Sequence, residues 1–264
     1  MTGIERIAAA FAAAHADGRA ALMPYLMGGY PDLATSLAIG EAYADGGADL
    51  VELGVPFSDP LADGPVIQAA GSAALAAGAN LQGVLGIGRT LAERMPVVLM
   101  CYANLVLARG VEAFAATLAE HRISGLIVPD LPFEEAPAAL AACDAVGVAL
   151  VPLVAPTTPD ARLTAIGGRA RGFVYTVSVV GTTGERTGDS NHYAEILGRV
   201  KAHTDVPVAL GFGISTPEQA AAAAAAGADG VIVGTRLVRA AGESDDPAPA
   251  IRSIVDALGA GLRV

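Results

Sequence analysis

The chain has 264 residues, of which 53% are hydrophobic, and its formal net charge at pH 7 is −11. This length suits one large domain or two small ones, and the hydrophobic content is sufficient for a large core. The negative charge disfavours binding to nucleic acid and to anionic membranes, so an anionic substrate would need positive potential from local backbone amides or helix N-termini.

The alanine-rich start of the chain could be mistaken for the apolar part of a signal peptide. Thr2 and Glu5 instead have the spacing of a capping box, and apolar residues recur at helical spacing between Ile4 and Phe11. A short amphipathic helix that closes one end of the domain is therefore predicted. The longest uncharged run, residues 64–88, is interrupted by polar residues and glycines, so no membrane span is predicted.

Short apolar runs alternate with alanine-rich helical stretches along the whole chain. The runs cover residues 21–27, 48–54, 97–102, 125–129, 148–154, 172–178, 206–211 and 230–234. Eight such strand–helix units in one unbroken series favour a (β/α)8 TIM barrel, an α/β fold, over a doubly wound sheet. We therefore expect residues 1–264 to form a single TIM-barrel domain, with the first helix as an extra element that closes the bottom of the barrel.

The stretch 52–65 places a carboxylate inside an apolar strand. Glu52 lies within the second run, and Asp59 and Asp63 follow in the next loop. An ionised carboxylate is costly to bury unless it is paired, and its usual response is a raised pKa, which suits a general acid or base. A buried glutamate that is satisfied by a backbone amide or an arginine is the structural alternative, and the residues alone leave both readings open.

Other polar residues are expected at the same end of the barrel. The active site of a TIM barrel lies at the C-terminal ends of its strands. That end would receive Tyr102 as the last residue of the third run, Asp130 after the fourth and Tyr175 from the sixth. Chemistry by carboxylates and tyrosines is thus predicted, although each of these residues could instead be a core or capping residue.

Glycine-rich turns after the last two strands indicate a phosphate site. Gly211 and Gly213 follow the seventh run, Gly234 and Thr235 follow the eighth, and each turn leads into a helix. Such glycines let backbone amides approach an anion, and barrel enzymes commonly bind phosphate at this place. A third glycine-rich segment, residues 180–188, is interpreted as a mobile lid or as a surface loop.

Absent residue types narrow the chemistry. Lysine occurs once, as Lys201 in a helical stretch, so no strand-end lysine is available for a Schiff base. The four histidines are scattered without metal-ligand spacing, and Cys101 and Cys143 lie in apolar surroundings as reduced core residues of a cytoplasmic protein. The sequence therefore predicts no metal and no cofactor, and favours acid–base chemistry by carboxylates on a small phosphorylated molecule.

Several motifs, in order along the chain, resemble the tryptophan synthase alpha chain family. They are ELGVPFSDPLADGP at 52–65, YANL at 102–105, VPDLP at 128–132, GTTG at 181–184 and GFGIS at 211–215. The resemblance implies a cytoplasmic TIM-barrel lyase that cleaves indole-3-glycerol phosphate to indole and glyceraldehyde 3-phosphate. It also implies a partner, a beta chain that carries pyridoxal phosphate and receives the indole, in an assembly of two alpha and two beta chains.

The resemblance also implies roles for individual residues. Glu52 would shuttle protons to indole C3 and from the adjacent hydroxyl, Asp63 would accept the indole N–H, and Tyr175 would lie beside Glu52. The phosphate would bind Gly184, Gly213, Gly234 and Thr235. The indole pocket would be lined by Tyr25, Ile67, Tyr102, Pro129, Leu153 and Phe212. The lid residue Thr183 would meet Asp63 on closure, and the beta chain would face Asp59, Pro60 and Asn104.

One departure from the family's commonest pattern concerns the indole pocket. Tyr25 stands where phenylalanine is expected, which changes the polarity of the pocket. Two other functions also stay open at this point. The chain could be another phosphate-binding barrel isomerase or lyase of aromatic amino-acid biosynthesis, although a decarboxylating synthase would need a strand-end lysine. It could also be a non-catalytic barrel that activates a partner enzyme, with Glu52 in a structural role.

Overall fold

The computed structural model describes residues 1–177, 190–211 and 213–263. Within these residues, one parallel sheet has the strand order β5-β4-β3-β2-β1-β9-β8-β7-β6. Its strands are β1 Ala21–Met27, β2 Val51–Gly54, β3 Val97–Met100, β4 Gly125–Ile127, β5 Ala149–Leu150, β6 Leu153–Val154, β7 Val174–Val177, β8 Val208–Gly211 and β9 Gly230–Val233.

Helices alternate with these strands and surround the sheet. They are α1 Gly3–Ala16, α2 Leu33–Asp45, α3 Pro65–Ala76, α4 Leu81–Leu91, α5 Ala103–Leu107, α6 Val111–Glu120, α7 Pro137–Val146, α8 Asp160–Gly167, α9 Ser190–Lys201, α10 Pro217–Ala225, α11 Thr235–Glu243 and α12 Pro247–Gly261. None of the helices in the described part of the chain has the length and apolar character needed to cross a bilayer.

The two ends of the sheet meet in one short segment. β5 pairs with β4 and β6 pairs with β7, while only Val151 and Pro152 separate β5 from β6 along the chain. The Val151 N–H donates to the Leu126 carbonyl at 2.9 Å, and the Tyr175 N–H donates to the Pro152 carbonyl at 3.0 Å. The sheet therefore closes into the predicted barrel. The fifth predicted strand is split because its pairing changes partner at Pro152, which has no N–H to donate.

The first helix closes the N-terminal end of the barrel, as predicted. Thr2 Oγ1 accepts the Glu5 N–H at 3.2 Å, and the Thr2 N–H donates to Glu5 Oε2 at 2.7 Å, which completes the capping box. Ile7 and Phe11 are buried among residues of the barrel interior, and the Phe11 ring centroid lies 5.6 Å from that of Phe173, just before β7. The extra helix thus forms the floor beneath the interior.

The alternation of side chains along each strand decides what faces the interior. On β2 and the residue before it, Val51 and Leu53 pack outward in the large core beneath the helices, whereas Leu50 belongs to the interior cluster. Glu52 shares the inward face with Leu50, because successive side chains of a strand point to opposite sides. The carboxyl is therefore held inside the barrel. Cys101 and Cys143 are buried free thiols in the outer core.

Candidate active site

Glu52 is the most unusual buried group of the barrel. The parallel pairing of β1 and β2 sets Tyr25 opposite Glu52, whose exposed fraction is 2%. Its Oε2 has no hydrogen-bond partner among the residues that the structure describes. Burial, with a smaller contribution from the nearby Asp63 carboxyl, raises the pKa of Glu52 to about 8. Glu52 therefore keeps its proton near neutral pH, and the described residues give Oε2 neither the amide nor the arginine that a structural role requires.

Asp63 supplies a second carboxyl with a lower pKa. Asp63 is 8% exposed, and burial raises the pKa of its carboxyl to about 6. A hydrogen bond from the Tyr102 hydroxyl has the opposite effect and limits this rise. The same hydroxyl accepts the Ala62 N–H at 3.0 Å, and the Tyr102 ring stacks on Phe57 with centroids 5.3 Å apart. The loop that carries Asp63 is therefore fixed to Tyr102. Two neighbouring carboxyls with separate pKa values can divide acid and base roles.

Two glycines make room for tyrosines beside these carboxyls. The Tyr25 hydroxyl lies 2.0 Å from the position that a Cβ on Gly54 would occupy, and the Tyr175 hydroxyl lies 2.5 Å from the corresponding position on Gly211. Both tyrosines are buried, and burial followed by nearby negative charge, including that of Glu52, raises their pKa values. Tyr175 thus lies near enough to Glu52 for the charge of that carboxyl to raise its pKa. The roles of Gly54 and Gly211 were missed in the sequence, because each depends on an aromatic residue of the adjacent strand.

Gly54→Ala should destabilise the protein, because the new methyl group would overlap the Tyr25 hydroxyl and ring. Overpacking of this kind costs about 1–3 kcal/mol, which lowers Tm by roughly 2–4 °C per kcal/mol in a chain of this size. Gly86→Ala in α4 is the matched control, since a Cβ there has no heavy atom within 4 Å. In a helix this control should gain up to about 1 kcal/mol. Thermal unfolding measures both, and equal shifts of the two variants would contradict the steric explanation.

The turns after β8 and β9 carry the predicted phosphate residues. These strands are paired neighbours, so the turns that follow them lie at the same edge of the barrel. Gly213 has a φ of +84°, in the left-handed region that favours glycine. Gly234 is the N-cap of α11, and the buried Thr235 is its first residue. The free amides of a helix N-terminus and a glycine turn give a negatively charged protein the local positive potential that an anion requires.

The predicted indole residues of the described chain lie in two neighbouring surroundings. Ile67 of α3 is buried in a cluster with Tyr25, and Tyr102 lies beside Asp63. Pro129 and Leu153 line a cavity of about 250 Å³ between the loop after β4 and helices α7 and α8, and Leu153 also packs against the interior cluster that contains Tyr175. Neither Tyr25 nor Ile67 contributes to the lining of that cavity. The predicted positions Thr183, Gly184 and Phe212, and the segment 180–188, lie outside the described residues.

The predicted partner residues lie on the outer surface next to the Asp63 loop. Asp59 and Asn104 are exposed, and Pro60 is half-buried. Two leucines that were not singled out in the sequence lie near them, since Leu61 is 81% exposed and Leu107 is 61% exposed. Exposed large apolar side chains that cluster on one surface are typical of interaction sites.

Comparison with known proteins agrees with this architecture. A family model described as tryptophan synthase alpha chain matches residues 11–257. The chain belongs to the tryptophan synthase alpha chain family. The tryptophan synthase alpha chain of Methanosarcina mazei is 48% identical over 242 residues, which cover 92% of this chain and 89% of that protein. The alpha chain of Gloeobacter violaceus is 49% identical over 236 residues, which cover 89% and 86% of the two chains.

Solved structures of tryptophan synthases have the same fold. A chain of Mycobacterium tuberculosis tryptophan synthase matches with a TM-score of 0.92 and 42% identity, and the match covers 98% of both chains. The tryptophan synthase alpha subunit of Legionella pneumophila matches with a TM-score of 0.89 and 33% identity, covering 99% of this chain. The family, the TIM barrel and the enzyme class predicted from the motifs are thereby confirmed. As a tryptophan synthase alpha chain, the protein is a lyase of tryptophan biosynthesis that cleaves indole-3-glycerol phosphate.

Proposed function

We propose that Glu52 and Asp63 carry out the retro-aldol cleavage of indole-3-glycerol phosphate in this chain. One observation supports this assignment above all. The Glu52 carboxyl is buried inside the barrel, its Oε2 lacks a partner within the described ranges, and it adjoins a second carboxyl of lower pKa. Carboxyls with such perturbed pKa values at the catalytic end of a barrel are typical of proton transfer.

The two proton transfers follow from the two pKa values. Glu52, with a pKa of about 8, is protonated near neutral pH and can deliver its proton to indole C3. Protonation at C3 makes indole a carbon leaving group. The resulting Glu52 carboxylate then takes the proton of the adjacent substrate hydroxyl, while the carbon–carbon bond breaks and the hydroxyl carbon becomes the aldehyde. Asp63, with a pKa of about 6, is ionised and can accept the indole N–H, stabilising the positive charge that develops on the ring.

The phosphate is proposed to bind at the other side of the mouth of the barrel. The backbone amides of Gly213, Gly234 and Thr235, together with the Thr235 hydroxyl and the N-terminus of α11, are the donors. Tyr25 spans the two halves of the site. Its Cβ lies 3.5 Å from the position that a Cβ on Gly234 would occupy, in the phosphate half. Its hydroxyl reaches Gly54, in the half that holds the carboxyls. A substrate with its phosphate at β9 and its indole near β2 would therefore lie across Tyr25.

A product assay tests this function. The purified chain, incubated with indole-3-glycerol phosphate and a metal chelator and without pyridoxal phosphate, is expected to release indole and glyceraldehyde 3-phosphate in equal amounts. Release of neither product would contradict the proposal. A dependence on added metal would contradict the carboxylate mechanism, although the family assignment would be unaffected.

We further propose that the partner is a tryptophan synthase beta chain, which holds the pyridoxal phosphate, in an assembly of two alpha and two beta chains in the cytoplasm. The surface formed by Asp59, Pro60 and Asn104 with the exposed Leu61 and Leu107 supports a contact there. Membership of a family named as the alpha chain of an enzyme supports the same partner. In this assembly the alpha chain would act as a single TIM-barrel domain.

The same surface is connected to the active site. Tyr102 is the residue before α5, and its hydroxyl holds both the Asp63 carboxyl and the Ala62 N–H. The Asp130 carboxylate accepts the Ala103 N–H at 2.8 Å and thereby ties the start of α5 to the loop after β4. A beta chain seated on α5 would therefore act on Asp63 through Tyr102. Indole production that did not change on addition of the beta chain would contradict this coupling.

Leu107→Ser is expected to weaken binding of the beta chain by about tenfold or more, because an exposed leucine buried at an interface contributes roughly 1–3 kcal/mol. Titration of the labelled chain with the beta chain measures the affinity. Leu75→Ser in α3 is the matched control, since it removes another partly exposed leucine away from the proposed surface. Equal affinities of the two variants would place the contact elsewhere.

A further inference from the structure

Tyr25 holds a buried hydroxyl that has only a weak acceptor. The residue is 7% exposed. Within the described ranges, its hydroxyl donates a hydrogen bond to the Met27 sulfur at 4.0 Å. A thioether sulfur is a poor hydrogen-bond acceptor. A buried hydroxyl without a good acceptor destabilises the fold, so this hydroxyl is a donor that can take a better acceptor when one is offered.

The position of this donor is fixed by the strand register. Tyr25 is opposite Glu52, and its hydroxyl reaches the space where a Cβ on Gly54 would stand. Gly54 is the next inward-facing position after Glu52 on β2, about 7 Å further along the strand. Glu52 and Gly54 share the inward face of β2, so the tyrosine hydroxyl stands on the same side of the strand as the Glu52 carboxyl.

The electrostatics agree with this placement. After burial, the charges of Asp63 and then Glu52 raise the pKa of Tyr25, so its hydroxyl stays protonated throughout the neutral range. The other titratable groups that face Glu52 are Asp63 from the loop after β2 and Tyr175 from β7, while Tyr102 acts on it through Asp63. Of these, the Asp63 carboxylate disfavours ionisation of Glu52. An uncharged donor that forms a hydrogen bond to the Glu52 carboxylate would counteract this effect.

The proposed function makes Glu52 a buried carboxylate at one stage of the reaction. Once its proton has gone to indole C3, the charge remains on a side chain whose Oε2 has no described partner. A buried charge of this kind is costly unless a donor reaches it. We propose that the Tyr25 hydroxyl then turns from the Met27 sulfur and donates a hydrogen bond to the Glu52 carboxylate. Tyr25 is thus a positioning residue that acts through Glu52, and this inference rests on the proposed role of Glu52.

Tyr25→Phe tests the inference, because it removes the hydroxyl and leaves the ring in place. Titration of ¹³C-labelled glutamate carboxyls by NMR in the isolated chain should show a higher pKa for Glu52, corresponding to an acid about tenfold weaker. In the indole assay, kcat should fall about tenfold with KM unchanged, and the alkaline limb of the pH profile should move to higher pH. These changes are not expected from a residue that only fills the pocket.

Tyr43→Phe is the matched control, since Tyr43 is also fully buried and its hydroxyl donates to the Tyr25 carbonyl at 2.8 Å rather than toward the carboxyls. It should leave the pKa of Glu52 unchanged. Met27→Leu, which removes the competing sulfur, should leave that pKa unchanged or lower it, and a rise would overturn the inference.

Two results for Tyr25→Phe would also overturn it. An unchanged NMR titration and pH profile would make the hydroxyl a pocket-lining group. A raised KM with unchanged kcat would mean that the hydroxyl contacts the substrate instead. Failure of the proposed function has a different signature, which is indole release by Glu52→Gln at the wild-type rate. The NMR titration of Tyr25→Phe would report on the hydrogen bond in either case.

Discussion

Glu52→Gln is expected to lower kcat for indole release by several orders of magnitude while the chain stays folded. General acid–base catalysis contributes about 10²–10⁴-fold for each proton transfer, and Glu52 is assigned both transfers. The amide has nearly the same shape as the carboxyl but cannot donate and accept a proton in turn. Single-turnover release of indole measures the effect, and circular dichroism checks the fold. Activity near that of the wild type would remove Glu52 from the mechanism.

The same substitution should change how stability depends on pH. Burial raises the pKa of Glu52 from 4.5 to about 8, so the folded state binds this proton more tightly than the unfolded state does. The stabilising effect of the bound proton is complete below pH 4.5 and is lost as the pH rises toward 8. The free energy of unfolding of Glu52→Gln, relative to wild type, should therefore increase by up to about 1.4 kcal/mol for each pH unit in this window. A constant difference would mean that the carboxyl is paired after all.

Asp63→Asn has the second largest expected effect, a loss of about 10²–10³-fold in kcat, because an amide cannot stabilise the charge that develops on the indole ring. Rates measured across the pH range supply a second test. In the wild type, activity should rise as Asp63 ionises near pH 6 and should fall as Glu52 loses its proton near pH 8. The acid limb should vanish in Asp63→Asn. The alkaline limb should move to lower pH, because the charge of Asp63 no longer raises the pKa of Glu52.

Asp144→Asn is a suitable control for this substitution, since Asp144 forms a surface ion pair with Arg171 and lies on α7. It should leave both limbs of the profile in place. An acid limb that persisted in Asp63→Asn would assign it to another group. Because the two carboxyls interact, the apparent pKa values of the profile describe the pair rather than either residue alone.

The sequence was sufficient for the fold and for the position of the acid inside it. The alternation around Glu52 and the spacing of Thr2 and Glu5 depend only on nearby residues, so local patterns predicted them correctly. The split of the fifth strand was not predicted, because the change of partner at Pro152 depends on the geometry of the closed ring. The apolar pattern of residues 148–154 predicts one continuous strand.

The finer features of the candidate site depend on contacts between distant parts of the chain. The fit of Tyr25 over Gly54 requires the register of two strands, which no local pattern contains. The hydrogen bond from Tyr102 to Asp63 joins two loops that are adjacent only in the barrel. That Pro129 and Leu153 also border a cavity beside α7 and α8 depends likewise on how those helices pack against the strands.

The split at Pro152 leaves a region of short strand pairing in the wall of the barrel, formed by β5, Pro152 and β6 and called the seam below. The register between β2 and β3 and that between β7 and β8 each join four residue pairs, whereas β4 with β5, β6 with β7 and β8 with β9 each join two. The cavity lined by Pro152 lies along this seam, so packing is also incomplete there. Local opening requires least free energy where few hydrogen bonds and few contacts must be broken. The wall of the barrel is therefore weaker where β5 and β6 lie than on the side formed by β1, β2 and β3, and the strands that carry Glu52 and Tyr25 belong to this firmer part.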